Sequence, residues 1–484
     1  MIEPFETNES SDLSFIFTSK KEKKNFFLEL QIVLIPIIII LIILGIIIII
    51  LSNSDFEKYK IEIDCEYIVE KDNLNIYLLS DEFEKSSSIS IYIDHKIIGY
   101  DNKYTFKKEG HYKVKFVLKK FLVLEKMFKD VKNLYSVNIS STKKGSLDLS
   151  LSKAFFNCVN LKKFYSNINP GNTFDMSFMF SNSRNLEEVV FENFGNSNKN
   201  VSYMFEKCEK LSSLRINTIN VEDMSYMFFN SKINITNLID NLNTSNVKNM
   251  SHMFSHCTSL TSLNLDKLNT SSVIDMSYMF SNFTSLIELN LDKLDTSSVI
   301  NMSNIFSFCN SLTSLNLNNL NTSSVIDMSY MFSHCTSMRE LNLDKLDTSS
   351  VIYMSNMFSH CTSIGELNLN KFTTNLVIDM SHMFQNCKKI SNFHLSKINS
   401  SLVNNMSYMF ADCQTIKILD ISFFDIGNVK DMSFMFFNCS SLSKFNKNKF
   451  FKPNNDTNIT GMFDKCKDRI IPNWYKNKSI VIKK

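Results

Sequence analysis

The chain has 484 residues and a formal net charge of +3 at pH 7. A balance this close to neutrality excludes the strongly basic footprint by which many proteins bind nucleic acid. The length exceeds one ordinary hydrophobic core, whereas a repeat array has no such size limit because each unit contacts only its neighbours.

The amino-terminal part predicts a membrane anchor. Residues 1–28 are polar and are interpreted as a cytoplasmic tail, and 29–54 as a transmembrane signal anchor. Residues 30–54 carry no charge, and at about 1.5 Å per residue a helix of this length spans roughly 37 Å, against a hydrocarbon core of about 30 Å. A cleaved signal peptide, a buried soluble helix and a lipid-anchored precursor are the alternatives.

The charges that flank the apolar run predict its orientation. Lys20, Lys21, Lys23 and Lys24 precede the run, whereas acidic and basic residues are mixed after it. Positive residues stay on the cytoplasmic side. The predicted location is therefore the plasma membrane, with the amino terminus in the cytoplasm and the rest of the chain at the cell surface.

Residues 55–120 predict a small antiparallel β domain, sandwich-like in form. Apolar and polar residues alternate from Ile61 to Tyr67, as in a strand with one buried side. Further alternating runs begin at Ile89 and Tyr112, and Glu109-Gly110 supplies a turn. We expect this domain to act as a spacer and as the cap of the array that follows.

Residues 121–470 predict a repeat solenoid of about 14 repeats. Copies of a Met-Ser-x-Met-Phe stretch begin at intervals of 26 residues from Met224 to Met432, and a fixed period of this length indicates stacked coils. With the first residue of each copy as position zero, Phe stands at plus four in every copy. We use this numbering throughout.

Each repeat predicts a short helix followed by a short strand. Apolar residues at zero, plus three, plus four and plus seven (Met328, Met331, Phe332, Cys335) have helical spacing. Those at plus thirteen and plus fifteen alternate with polar residues, as in a half-buried strand. The predicted fold class is an α/β repeat solenoid, a right-handed stack of strand plus helix, and residues 471–484, including Pro472 and Trp474, close its far end.

Phenylalanines and cysteines are predicted to line the core of the array. Ten of the eleven cysteines stand at plus seven, a column that elsewhere holds Val131, Ser183, Ser231 and Phe283. A column that accepts Phe favours buried free thiols over the alternative, a ladder of disulfides. The core residues chosen to represent these columns are Phe254, Phe280, Phe332, Phe358, Phe384, Cys335, Cys361 and Cys387.

The outward positions of the strand predict a ligand surface rich in acids and amides. Its members are Glu288, Asn290, Asp292, Glu340, Asn342, Asp344 and Glu366. The alternative is a merely solubilising row, with Lys267, Lys293 and Lys345 neutralising their neighbours. A second exposed row, the aromatic residues at plus two such as Tyr278 and Tyr330, would either contact a partner or pack at the boundary between coils.

The sequence shows no constellation typical of catalysis or metal binding. His252 and His256 are four residues apart, but the equivalent positions of the next copies hold Tyr278 and Asn282, so solvated histidines are the simpler interpretation. Polar residues recur by copying and do not converge on a cleft. No enzymatic activity, cofactor or metal is predicted.

The unit Met-x-x-Met-Phe-x-x-Cys-x-x-Leu-x-x-Leu-x-Leu resembles the BspA-like leucine-rich-repeat surface proteins. It is represented by residues 328–343, where Met338 replaces the first Leu, and the resemblance covers about residues 121–470. It implies a leucine-rich-repeat solenoid displayed on a cell surface, with adhesion as the usual role. An amino-terminal anchor departs from the secreted and lipid-anchored members.

The predicted function is that of a non-catalytic, single-pass surface protein that mediates adhesion by binding an extracellular protein or glycan. Many weak contacts along a regular face would add through multivalency. A structural coat that self-associates laterally is the alternative, and a receptor ectodomain is a further one. Nucleic acid is not an expected partner.

Overall fold

A computed structural model describes residues 39–44, 60–84, 88–118, 124–141, 150–168, 175–194, 198–232, 236–395, 398–447 and 452–476. The chain forms two compact units, residues 1–60 and 61–484. In the first unit residues 39–44 are helical, and the rest of the predicted tail (1–28) and anchor (29–54) lies outside the described residues. Within the described ranges, no helix combines the length and the apolar character needed to cross a membrane. The anchor stays a prediction.

The second unit begins with antiparallel strands in the region of the predicted β domain. The strands are β1 (Ile61–Val69), β2 (Leu74–Tyr77), β3 (Ile89–Ile93), β4 (Lys96–Ile98), β5 (Lys103–Phe106) and β6 (Gly110–Leu118). In β1 every second side chain is buried, as its alternating sequence dictates. The Tyr67 hydroxyl donates a hydrogen bond to the Leu78 carbonyl oxygen at 2.5 Å, which satisfies this buried polar group.

The β domain is continuous with the first coils of the array. Strand β1 pairs antiparallel with β6 on one side and with β7 (Leu134–Ser141), which belongs to the first coil, on the other. Strands β8 (Lys163–Ser166), β9 (Glu188–Phe191) and β10 (Ser213–Arg215) extend the sheet in parallel. Its order is β10-β9-β8-β7-β1-β6-β3-β4. Because β1 occupies the free edge of β7, the domain caps the array.

A continuous ladder of buried phenylalanine rings runs through the coils at plus four. Neighbouring rings are stacked from Phe128 to Phe463, with centroid distances of 5.2 to 6.2 Å. Buried Met, Leu and Val side chains surround the ladder. The predicted repeat solenoid is confirmed, and its handedness stays a prediction.

The predicted helix of each repeat is wrong: positions zero to plus seven form three overlapping β-turns. In the copy that begins at Met328, the amides of plus three, five and seven donate to carbonyls three residues back, at 3.3, 2.9 and 3.2 Å. The amides of zero, two, four and six donate instead to the next coil, at 2.8 to 3.0 Å. An α-helix would use its amides internally; the turns leave alternate amides free to join coils.

The remainder of the coil is less uniform than the predicted strand in every repeat. Hydrogen-bonded strands recur as β11 (Glu366–Asn368) with β12 (Asn392–His394), and as β13 (Ile418–Ile421) with β14 (Lys444–Lys447). From Leu260 to Leu343 the equivalent row keeps its alternating burial, but the structure assigns no ladder to it. Continuous pairing lies at the residue before position zero, where parallel bridges link successive coils from Asp175 to Asn458.

A column of buried Thr side chains joins the coils on the return path. The Thr348 hydroxyl donates to the carbonyl oxygen of Thr373 in the next coil at 2.9 Å and accepts from the Thr373 amide at 2.8 Å. Ser400, in the same column, makes the same two bonds with Asp425. One hydroxyl therefore satisfies the backbone N–H and C=O groups of one residue in the next coil.

The far end of the array is closed by residues 459–475. The last ladder ring, Phe463, meets Tyr475 edge-on at 5.2 Å, and Trp474 packs beside Tyr475. A 3₁₀ helix (Asp468–Ile470) connects this final turn to the closing segment. These aromatic rings cover an apolar end that would otherwise be exposed to water.

We predict that Phe332→Ala lowers the free energy of unfolding by about 3–5 kcal/mol, because it removes a fully buried ring stacked on two neighbours. The measurement is urea unfolding of the full chain. Phe423→Ala is the matched control, since this ring is 52% exposed and its loss should cost about 0.5 kcal/mol or less. Equal effects of the two substitutions would contradict the ring ladder.

For the Thr column we predict that Thr348→Val costs about 1–3 kcal/mol, because an isosteric side chain leaves the Thr373 N–H and C=O without their partner. Thr348→Ser keeps the hydroxyl, as Ser400 does naturally, and should cost clearly less. The same urea titration compares them, and a Ser variant as unstable as the Val variant would contradict the assigned hydrogen bonds.

Candidate functional site

The predicted acidic and amide ribbon lies on the exposed side of the coils. Glu288, Asn290, Asp292, Glu340, Asn342, Asp344 and Glu366 are all exposed. Their backbone neighbours Leu289 and Leu291 point inward and are buried. The structure thus places the seven residues in register on one face, which we call the strand face and define as positions plus eight to plus sixteen of the coils.

The asparagines of the strand face have a local structural role. The Asn290 side-chain oxygen accepts a hydrogen bond from the Asp292 amide at 2.9 Å, and Asn342 does the same for Asp344. These bonds close the turn at the end of the row, as Asn commonly does. Asn290 and Asn342 are therefore held by the turn, and the carboxylates remain as the freer groups of the ribbon.

The glutamates at plus twelve are the outermost charges of the strand face in the middle coils. A carboxylate oxygen of Glu366 lies 2.6 Å from the ring Nε2 of His394, which stands at plus fourteen of the next coil. Glu340 and Glu288 are exposed side chains one and three coils further back along the same column, and Ser314 occupies the position between them. The aspartates at plus sixteen are each followed directly by a lysine in the copies with Asp292 and Asp344, which offsets their charge.

The aromatic row at plus two packs at the coil boundary. Phe178, Tyr203, Tyr226, His252 and Tyr278 form a stack with centroid distances of 4.1 to 4.3 Å. A second stack joins His382, Tyr408 and Phe434 at 4.7 and 4.8 Å. Because each ring covers the face of the next, mainly the ring edges remain for contact with a partner.

The residues at plus two and plus six have a backbone conformation that the sequence reasoning missed. Tyr278 has φ +57° and Asn282 has φ +63°, and the same holds for the equivalent residues of the other described copies. Positive φ at the third residue is what a type II turn requires. Gly461 occupies plus two of the last copy, where a Cβ would collide with the ring of Phe434.

Of the two histidines considered for metal binding, His252 is packed within the array and His256 is exposed. His252 lies between the rings of Tyr226 and Tyr278, so it is not the solvated histidine predicted from the sequence. Burial lowers the pKa of His252 to about 4; Asp275 opposes this shift and His256 adds to it. In the described part of the chain, no group of three or more His, Cys, Asp or Glu residues is placed to hold a metal ion.

A second pair of histidines stacks at plus six. His334 lies between Phe308 and His360, at 4.2 Å from each ring. Burial lowers the pKa of both histidines, and the neighbouring imidazole lowers that of His334 further. Asn386 approaches the Nδ1 atom of His360 at 2.8 Å. Neutral imidazoles therefore fit this stack better than charged ones.

The cysteines at plus seven are buried free thiols with a definite hydrogen-bonding role. All eleven cysteines are free, and only Cys466 is partly exposed. The Cys335 thiol donates to the carbonyl oxygen of Phe306, in the preceding coil, at 3.1 Å. In the same column the hydroxyls of Ser183 and Ser231 donate to the equivalent Phe carbonyls at 2.9 Å. The occurrence of Ser in a column of Cys is the sequence signal for this role, because both are small hydrogen-bond donors.

Comparison with known families identifies the repeats. The family model described as "Mycoplasma protein of unknown function, DUF285" matches residues 122–216, 199–289, 283–392 and 354–474, which together span well over half of the chain. The chain belongs to this family. No curated protein matches the DUF285 chain.

The solved structures that resemble this DUF285 chain have low sequence identity to it. A leucine-rich repeat protein from Eubacterium ventriosum is 12% identical, with a TM-score of 0.35, and the match covers 70% of this chain and 92% of the other. TLR13, in its complex with ssRNA13, is 16% identical, with a TM-score of 0.22, and the match covers 75% of this chain and 51% of the other. Toll from Drosophila, in its complex with Spatzle, is 15% identical, with a TM-score of 0.20, and the match covers 59% of this chain and 47% of the other.

Thiol reactivity should separate Cys466 from the other cysteines. Burial raises the pKa of Cys361 to about 12 and that of Cys466 to about 11, so at pH 8 the reactive thiolate is scarce in the native state. We expect Cys466, the partly exposed thiol, to react first with a chromogenic disulfide and the rest only on unfolding. Cys466→Ser should remove the native-state reaction, and rapid labelling of Cys361 would contradict the assigned burial.

Acidification should destabilise the array through His252. Its pKa is about 4 in the folded chain and about 6.5 when unfolded, so the unfolded chain binds the extra proton between these values. The stability due to neutral His252 is present above about pH 6.5 and is lost as the pH falls towards 4. His252→Asn introduces a residue type found elsewhere in this column and should make the thermal unfolding midpoint less dependent on pH between pH 7 and pH 4.5. An unchanged pH dependence would exclude His252 as a source of the acid destabilisation.

Proposed function

We propose that this chain is a non-catalytic surface protein whose array binds an extracellular protein or glycan and mediates adhesion. The observation that carries the proposal is the strand face, where Glu288, Glu340 and Glu366 occupy the same exposed position in three of four successive coils. A repeat fold of this type suggests a protein-binding role. Glu340 and Glu366 lie in neighbouring coils, about 4.8 Å apart, and Glu288 lies two coils before Glu340. Charged groups at fixed intervals on one support allow weak contacts to add.

The rigidity of the array supports binding without large rearrangement. Alternate amides of every turn are bonded to the next coil, and the ring ladder passes beneath them. A surface held in this way loses little conformational entropy when a ligand binds, so more of the interaction energy appears as affinity.

The proposed anchor is the segment 29–54, with residues 1–28 in the cytoplasm and the array outside the cell. Its support is the uncharged apolar run and the lysines that precede it. Buried thiols of raised pKa are compatible with an oxidising exterior, because they form little thiolate.

A surface coat formed by lateral self-association is a second candidate function. The observation that favours it is the change in charge along the strand face, from the glutamates of the middle coils to Lys388, Lys417 and Lys444. A receptor is a third possibility, with residues 1–19 as its signalling segment; deleting them should leave adhesion intact and abolish signalling only in that case.

Binding by the array is tested with the purified full chain in detergent, at concentrations where it is monomeric. Immobilised matrix proteins, a glycan array and whole cells serve as ligands. We expect binding that falls at least tenfold in the variant with Glu288→Gln, Glu340→Gln and Glu366→Gln, but not in Glu70→Gln, an exposed control in the β domain. Absence of binding to every ligand class would overturn the proposal.

The topology is tested separately by antibody labelling of a carboxyl-terminal tag on intact and permeabilised cells. Exposure of the array predicts equal labelling in both. Labelling that requires permeabilisation would contradict the proposed orientation.

A further inference from the structure

The strand face changes the sign of its charge along the array. Between plus eight and plus thirteen, the coils that begin at Met276, Met302, Met328 and Met354 carry Glu288, Arg339, Glu340 and Glu366. The next three coils carry Lys388, Lys389, Lys417 and Lys444 and no acid in the same positions. Every one of these side chains is exposed. One continuous face thus has an acidic segment followed by a basic one.

The neighbouring charges reduce this asymmetry but do not remove it. Arg339 stands beside Glu340 and offsets its charge, so these positions carry a net charge of −2 in the acidic segment and +4 in the basic one. Asp292 and Asp344 at plus sixteen are offset by the lysines that follow them, so they add little net charge to the acidic segment. Of the two other charged residues that border the basic segment, Asp420 lies at plus fourteen and accepts the amide of Ser422 at 2.9 Å, and Lys447 lies at plus fifteen. The basic segment therefore keeps its excess positive charge.

The two segments meet at one boundary of the array. The boundary lies between the coils that begin at Met354 and Met380, where Glu366 contacts His394. Counting outward, Glu366 and Lys389 are in the first coils on either side, and Glu340 and Lys417 are in the second. A two-fold axis that lies in the interface plane, perpendicular to the array and passing through the boundary, would place the coils of Glu366 and Glu340 in one copy opposite the coils of Lys389 and Lys417 in the other.

We propose that the strand face binds the strand face of a second copy of this chain, with the two arrays antiparallel. Such an isologous contact uses the same patch twice, so that Glu366 faces Lys389 and Glu340 faces Lys417, each pair occurring twice in the dimer. Parallel pairing would instead bring acid against acid and base against base. The charge pattern therefore selects both the partner and its direction.

The size of the face indicates a weak contact. Six coil steps of about 4.8 Å and a width of about five residues at roughly 3.3 Å give about 470 Å² per copy. Two such faces are at the low end of specific interfaces, so we expect a dissociation constant on the order of micromolar that weakens with salt. Many copies at one surface would strengthen the association through multivalency.

The dimer does not depend on the proposed adhesive function, but its biological placement does. If the array is anchored through residues 29–54, antiparallel copies that stand upright belong to two opposed membranes. The contact would then be homophilic adhesion between cells. On one membrane it would require arrays that lie flat, as in a coat.

Isotope-coded cross-linking tests the contact. Equal amounts of unlabelled and ¹⁵N-labelled full-length chain are mixed and treated with a carbodiimide, which joins a carboxylate to a lysine amine as an amide and takes up the water that is lost. We expect peptides that link Glu366 to Lys388 or Lys389, and Glu340 to Lys417, with one light and one heavy partner. Cross-links found only within one isotope would show an intramolecular origin and overturn the proposal.

Charge exchange gives a second test that survives a failure of cross-linking chemistry. The variant Glu340→Lys with Glu366→Lys, and the variant Lys389→Glu with Lys417→Glu, should each be monomeric in sedimentation at 50 mM salt. Their equimolar mixture should dimerise, because at each of the exchanged positions a lysine of one variant then faces a glutamate of the other. Glu70→Lys, an exposed position in the β domain, is the control and should behave as the unmodified chain. A mixture that stays monomeric, or variants that still dimerise alone, would overturn the antiparallel contact.

The two proposals fail in distinguishable ways. A chain that binds matrix proteins or glycans as a monomer and shows no heavy–light cross-links refutes the dimer alone. If the chain dimerises but binds none of the matrix proteins, glycans or cells, the proposed binding of a foreign ligand is refuted and self-association remains as the function.

Discussion

The array depends on the division of backbone amides within its turns. Three amides of each turn segment bond within the coil and four bond to the next coil, as in the copy at Met328. The first set shapes the chain tightly enough to bring Met and Phe to the interior, and the second set makes a neighbour obligatory. A single coil would leave four donors unsatisfied, which is why stability is a property of the stack.

The side chains complete what the turns begin. The Phe ladder fills the space between coils with apolar surface, the thiols at plus seven donate to the Phe carbonyls of the preceding coil, and the Thr column joins the return path. All three columns point inward and serve adjacent coils. The charged side chains at plus eight to plus thirteen take no part in these three columns, so the charge of this face can change sign from one segment of the array to the next.

Much of the fold could be predicted from the spacing of residues, and the errors have a physical cause. Apolar positions at zero, three, four and seven suit a helix, but overlapping turns produce the same spacing on one side of the chain. The distinguishing signal was at plus two and plus six, where Asn282, Asn386 and His256 have a positive φ that Asn and His adopt more readily than most residues. The alternation of apolar and polar residues correctly predicts that the acidic and amide ribbon is exposed, because alternation is a local property of the chain. The turn-closing role of Asn290 depends on the backbone amide of Asp292, which no sequence pattern reveals.

Amide hydrogen exchange of the native chain tests the central claim most directly. The account predicts slow exchange at zero, plus two, plus four and plus six of the coils from Met176 to Met432, where amides bond between coils, and fast exchange at Glu288, Leu289 and Asn290, which have no ladder. The reverse order, with a protected strand row and exchanging turns, would contradict an array held together by its turns.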